Sequence, residues 1–169
     1  MTGPDLTRLS PQDAVVAFRS YPRRYGAELA SIKGDDRIEE IATRMGPQGE
    51  SAAQIVSDVT RTWALLGEAL RQILRHDDAV LHPAIADPTL RHWDTPAPDS
   101  IAEALVLLGH EADALADEVG GVLNADDWAR TAIVAGGESV TALDVVKQAV
   151  AAGAEGLSDL RSTLAAVRR

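Results

Sequence analysis

The chain has 169 residues and a formal net charge of −10, with 46% hydrophobic residues, 4% aromatic residues and no cysteine. Its length is typical of one domain, and its composition excludes both a disordered tail and a membrane protein. The negative charge disfavours nucleic acids and anionic membrane surfaces as partners, and the absence of cysteine excludes disulfides, zinc–thiolate sites and thiol nucleophiles.

The apolar residues favour helices and a soluble location. Alanine, leucine and valine dominate them, and an aliphatic core with few aromatic residues suits close helix packing. Residues 1–10 lack the charged and apolar regions of a signal peptide, and no apolar stretch approaches the ~20 residues that span a bilayer. We therefore expect one cytoplasmic helical domain covering residues 1–169.

The first predicted helix begins at Ser10 and Pro11, because a serine N-cap followed by proline is a common helix start. Pro22 falls in the middle of this helix, and we expect it to kink the helix or divide it in two. A short second helix is predicted over residues 35–44, and the turn formers of residues 46–49 end it.

A long helix is predicted over residues 51–75, where apolar residues recur at spacings of three and four. These are Ile55, Val59, Trp63, Leu66, Leu70, Ile73 and Leu74. The pattern stops over residues 76–98, whose four prolines indicate a long ordered connection. Ser100 then caps another helix, which ends near the glycine pair Gly120 and Gly121.

The last predicted helix starts near Thr141, with Asp144 at the spacing of a capping box, and runs to Val167. Its apolar residues are spaced by sevens, and Gly153 permits a close helix approach. Four long helices sharing one core predict an all-α fold, an antiparallel four-helix bundle with short additional helices. Residues 131–135 favour a strand, but we predict no strand pair.

The histidines are the first candidates for metal binding or proton transfer: His76, His82, His92 and His110. The connection groups two of them with two carboxylates: His82, Asp87, His92 and Asp94. We interpret that group as solvated loop residues rather than as a metal site. His110 and Glu111 lack the second histidine of a zinc-protease helix, because residue 114 is alanine. A structural role for His110 is favoured over that of a catalytic base.

The glycine-rich segment of residues 136–141 precedes a helix start, where exposed amides can hold an anion. It carries Glu138 and lacks the lysine of a phosphate-binding loop. A turn followed by a helix cap is the favoured interpretation, and an anion or small-ligand site at Gly136 and Gly137 is a lesser hypothesis.

The turn of residues 127–130 (Asp-Trp-Ala-Arg), the following Gly137-x-x-x-Thr141 and the order of the helices resemble the DinB-like superfamily. That superfamily includes bacillithiol and mycothiol transferases and the N-terminal domain of mycothiol-dependent maleylpyruvate isomerase. The resemblance covers about residues 14–164. It implies a four-helix bundle with a metal bound by three histidines at one end of its central cavity.

The resemblance also implies which positions would hold the metal. The family's helix start, with a histidine seven residues after a serine, matches Ser51 and places the first ligand at Asp58. The other two histidines fall on Ala152 and Gly156, which have no donor atom. One carboxylate is too few for a divalent ion unless Glu155 swings in. We therefore expect a degenerate site with no metal or other cofactor, and a cavity that is either filled or open to an apolar ligand.

Two hypotheses about function follow from the resemblance. The first is a non-catalytic module that binds a small-molecule ligand or forms a homodimer through an exposed helix face. The alternative is a thiol-dependent, mycothiol-type S-transferase or isomerase that works without a metal or with an atypical metal site. The candidate pocket comprises Asp58, His110, Trp128, Arg130 and Glu155.

Overall fold

Helices make up most of the residues that the computed structural model describes, which are 5–32, 35–91, 93, 96 and 100–168. The five α-helices in these ranges are α1 (Pro11–Ala30), α2 (Asp35–Thr43), α3 (Ala52–Arg75), α4 (Ile101–Gly120) and α5 (Ala142–Val167). Each of the four long helices contacts two others: α1 and α3 both pack against α4 and α5. None of the helices in the described ranges is long and apolar enough to cross a membrane.

The N-caps begin the helices where the sequence predicts. Ser10, Ser51 and Thr141 each accept a hydrogen bond from the backbone N–H three residues later, and the side chain of that later residue accepts one from the cap backbone. Ser100 accepts from the backbone N–H of Glu103 at the start of α4. These bonds satisfy amides that have no partner within the helix, so the helix starts are fixed locally.

Pro22 does not divide the first helix, and the expectation of two helices is wrong. The helix α1 is continuous from Pro11 to Ala30 with Pro22 inside it. A proline removes one backbone hydrogen bond, whereas the residues buried on both sides of it hold the helix against α4 and α5. Those buried residues are Ala14, Phe18, Tyr21, Tyr25 and Leu29.

A small three-stranded sheet corrects the prediction of an all-α fold. Its strands are β1 (Val80–Leu81), β2 (Thr131–Val134) and β3 (Glu138–Thr141), in the order β1-β2-β3. β1 pairs in parallel with β2, and β2 forms an antiparallel hairpin with β3. Gly136 and Gly137, with φ of +115° and +95°, make the hairpin turn, which favours glycine at both positions.

The core is mainly aliphatic, as the composition predicts, and four aromatic side chains are buried within it, Phe18, Tyr21, Tyr25 and Trp63. Phe18 and Trp63 meet edge to face with their ring centroids 5.9 Å apart, and the ring of Tyr21 lies 5.7 Å from that of Trp63. Tyr25 is also fully buried. These rings come from α1 and α3 and pack against one another in the interior of the bundle.

Candidate functional site

Four of the residues singled out in the sequence meet in one depression between α3 and α5. Its lining includes Asp58, Ala152, Glu155 and Gly156, and its volume is about 190 Å³. Asp58 lies on α3. Ala152 lies on α5, three residues before Glu155 and four before Gly156, and residues at these spacings share a helix face. Arg91, which sequence reasoning did not select, completes the charged lining.

Gly156 forms a closed floor to this depression. A Cβ added at Gly156 would overlap Cγ2 of Val59 and lie 2.6 Å from the hydroxyl oxygen of Tyr25. No side chain fits there without moving Val59 on α3 and Tyr25 on α1. The interior side of the position is therefore filled by neighbouring side chains.

Three aromatic side chains hold α5 from the inside by hydrogen bonds to its backbone carbonyls. The Tyr25 hydroxyl donates to the carbonyl of Gly153 at 2.8 Å, and the Tyr21 hydroxyl donates to that of Val150 at 2.9 Å. Nε1 of Trp63 donates to the carbonyl of Ala149 at 2.8 Å. Burial raises the pKa of Tyr25 well above its usual range, so Tyr25 stays a neutral donor.

Asp58 is a half-exposed carboxylate paired with a cation of its own helix. Its Oδ1 lies 3.3 Å from Nη1 of Arg61, whose Nη2 donates to the carbonyl of Pro96 at 2.7 Å. Burial raises the pKa of Asp58, the charge of Arg61 opposes that shift, and the nearby charge of Glu50 adds to it. Asp58 is therefore already part of an ion pair with Arg61 at the rim of the depression.

Arg91 brings a fixed positive charge to the same depression. Its Nε donates to the carbonyl of Ala84 at 3.0 Å and its Nη2 to Oε1 of Gln148 at 3.2 Å. Burial lowers the pKa of Arg91, and the negative charge of Glu155 opposes that shift. The signal that could have found Arg91 is the short turn of residues 88–90, which ends immediately before it.

Three residues of the candidate pocket lie outside this lining. His110 is exposed on α4, and Trp128 packs partly buried against the core. Arg130 is bound at the C-terminal end of α3. Its Nε donates to the carbonyl of Ile73 at 3.0 Å, and its Nη2 forms an ion pair with Asp77 at 2.9 Å. Ile73 is about 22 Å along the helix from Asp58 at 1.5 Å per residue. Arg130 therefore ties the turn before β2 to the end of α3.

The candidate metal group of the connection is partly outside the described residues, because His92 and Asp94 are not among them. His82 and Asp87 act locally: Nδ1 of His82 accepts the N–H of Ala84 at 3.1 Å, and Oδ1 of Asp87 accepts that of Thr89 at 2.9 Å. Each begins a short 3-10 turn. Within the ranges given above, no three His, Cys, Asp or Glu side chains form a group that could hold a metal ion.

The glycine pair of the hairpin does not reach the start of α5. Residues 138–140 of β3 separate Gly137 from Thr141, which is the last residue of β3 and the N-cap of that helix. The Thr141 side chain accepts from the backbone N–H of Asp144 at 3.0 Å, and Oδ2 of Asp144 accepts from that of Thr141 at 2.9 Å. Gly136 and Gly137 therefore form the hairpin turn, and the side chains of Thr141 and Asp144 cap the helix.

Comparison with known proteins assigns neither a family nor an activity. No protein-family model matches the chain, and no curated protein is significantly similar to it.

Proposed function

We propose that this chain is a DinB-like four-helix bundle in which packed side chains have replaced the three-histidine metal site, and that it acts as a non-catalytic binding or interaction module. The observation that carries the proposal is the floor at Gly156, where Val59 and Tyr25 leave no room for a side chain. A bundle is supported by the ring of contacts in which each long helix packs against two others.

The charges around the depression support the same proposal. Asp58 is paired with Arg61, and Glu155 faces the positive charge of Arg91. A divalent ion would have to displace these cations and would still lack the several donor atoms that hold zinc or nickel tightly. The carboxylates at this position are therefore better suited to ion pairs within the protein than to metal coordination.

Metal titration of the purified full-length chain tests the proposal. We expect neither zinc nor nickel to bind stoichiometrically, and neither ion to raise the melting temperature, since a ligand that binds only the folded state would raise it. Asp58→Asn should behave like the unaltered protein. One zinc ion per chain, lost in Asp58→Asn, would contradict the metal-free proposal.

A thiol-transfer assay distinguishes the proposed non-catalytic module from the alternative hypothesis, a thiol-dependent enzyme. The alternative predicts saturable turnover of an electrophile with a low-molecular-weight thiol, and loss of that turnover in Asp58→Ala. Asp58 would have to leave its ion pair with Arg61 to accept the proton of a thiol, so we expect no turnover above the uncatalysed rate. A cytoplasmic location and a homodimer complete the proposal.

A further inference from the structure

A separate small pocket lies between α3 and α4, away from the depression between α3 and α5. It has a volume of about 160 Å³. Three of the described residues that line it belong to α3, two belong to α4, and Pro96 belongs to the connection between these helices. We call this feature the Ser57 pocket, lined by Ser57, Thr60, Arg61, Pro96, Ala104 and Leu107.

The hydroxyl of Ser57 is buried and has no partner in the part of the chain that the structure describes. Ser57 is only 4% exposed, and its Oγ forms no hydrogen bond there. A helical serine or threonine can donate to the carbonyl four residues earlier, as Thr60 does to that of Val56 at 2.9 Å. Buried hydroxyls are normally hydrogen-bonded, so Ser57 keeps a donor and an acceptor for a partner from outside.

The side chain of Ser57 projects toward the pocket because of its place on α3. Residues three and four apart share one helix face, so Ser57, Thr60 and Arg61 point together toward α4. Ala104 and Leu107, three residues apart, present the facing side of α4. A serine side chain has three staggered rotamers, so Oγ can turn to a ligand without breaking a hydrogen bond to any described residue.

The remainder of the pocket is apolar, and its one charge is balanced. Ala104, Leu107 and the ring of Pro96 offer carbon surface. Nη1 of Arg61 lies 3.3 Å from Oδ1 of Asp58, and Nη2 of Arg61 donates to the carbonyl of Pro96 at 2.7 Å. A charged ligand would have to disrupt this ion pair, so the pocket suits a neutral molecule.

We propose that the Ser57 pocket binds a small neutral ring compound that carries one hydroxyl group. An apolar cavity of about 150 Å³ holds a benzene ring, and the Ser57 pocket is of similar size. The ring packs against Ala104, Leu107 and Pro96, and the ligand's hydroxyl forms a hydrogen bond with Oγ of Ser57. An apolar site in which one polar group fixes the orientation of the ligand is typical of small-molecule binding.

An NMR titration of the full-length chain with phenol and with toluene tests this inference. The two rings have nearly the same shape, and phenol alone carries the hydroxyl. We expect both to bind saturably and to shift the amide signals of Ala104 and Leu107. The titration is done at low salt, where the acidic charge of the chain opposes contact between two copies.

Ser57→Ala should lower the affinity for phenol about fivefold, the size of one hydrogen bond, and leave the affinity for toluene unchanged. The variant should fold normally, since it removes a buried hydroxyl that has no partner among the described residues. The matched control is Ser162→Ala on α5, because Ser162 is a helical serine whose Oγ donates to the carbonyl of Ser158 at 3.0 Å. It should leave both affinities unchanged.

Three results would overturn the inference: shifts that do not saturate, a phenol affinity that is the same in Ser57→Ala as in the unaltered chain, or an equal loss in Ser162→Ala. The inference gives the proposed binding module a ligand site and rests on that proposed function. The two fail separately, because stoichiometric zinc removes the metal-free proposal, whereas a metal-free protein that does not bind phenol removes only the Ser57 site.

Discussion

Gly153 and Gly156 set how closely α5 approaches the helices beneath it. A Cβ at Gly153 would lie 2.7 Å from Cε2 of Tyr21 and 2.8 Å from Cζ2 of Trp63. Because these glycines have no side chain, the aromatic rings come near enough to donate hydrogen bonds to the α5 backbone. The same closeness fills the position that a metal ligand would need at Gly156.

We expect Gly153→Ala to lower the free energy of unfolding by about 1–2 kcal/mol. Overpacking against Tyr21 and Trp63 costs ~1–3 kcal/mol, and the better helix propensity of alanine returns up to ~1 kcal/mol. Gly26→Ala is the control, because a Cβ at Gly26 on α1 meets no atom within 4 Å. It should raise stability by up to about 1 kcal/mol in urea denaturation. Equal changes in the two variants would contradict the close approach at Gly153.

The hairpin and the last helix behave as one element because they share Thr141. That residue is the last of β3 and the N-cap of α5. The next residue, Ala142, donates its N–H to the carbonyl of Arg130 at 2.9 Å, and Arg130 is itself bonded to the end of α3. The start of α5 is thus fixed by the sheet on one side and by α3 on the other.

Thr141→Ala should lower the free energy of unfolding by about 1 kcal/mol, the usual cost of losing an N-cap side chain. Ser139→Ala, two residues earlier on β3, is the control, since Ser139 is exposed. Its effect should stay within about 0.5 kcal/mol. Chemical denaturation monitored by helical circular dichroism measures both. A Thr141→Ala variant as stable as Ser139→Ala would show that the sheet alone positions α5.

The whole molecule combines a high negative charge with neighbouring exposed apolar residues on α4. The net charge is −10, and Val106 and Leu107 are 58% and 43% exposed, next to the fully buried Leu108. A second copy covering this pair would bury apolar surface, whereas the charge of two copies opposes association. This helix face is where we place the proposed homodimer.

Sedimentation velocity at two salt concentrations tests the homodimer. We expect the dimer fraction to rise with salt, because salt screens the repulsion between acidic copies. Leu107→Glu should weaken association at least about tenfold, since it places a charge in an apolar contact. Val80→Glu is the control, a 68% exposed residue of the sheet, and should leave association unchanged. A monomer under every condition would refute the homodimer.

The sequence by itself determines the helix starts and the spacing of the buried residues. A cap such as Ser51 or Thr141 acts within three residues of its own position, so the start of its helix can be predicted from the local sequence. The same holds for Gly153, whose place in the apolar rows of α5 predicts the close approach that the structure shows. By contrast, β2 lies where residues 131–135 favour a strand, but its partners β1 and β3 are only two and four residues long, too short for an alternating pattern to identify.

Only the tertiary structure decided what depends on residues far apart in the chain. Pro22 stays within one helix because side chains from other helices hold both of its ends in place. Tyr25 closes the site at Gly156 across a separation of more than one hundred residues, and Glu50 and Asp159 line one depression because α3 packs on α5. Such contacts arise from how the helices pack together, which local spacing does not encode.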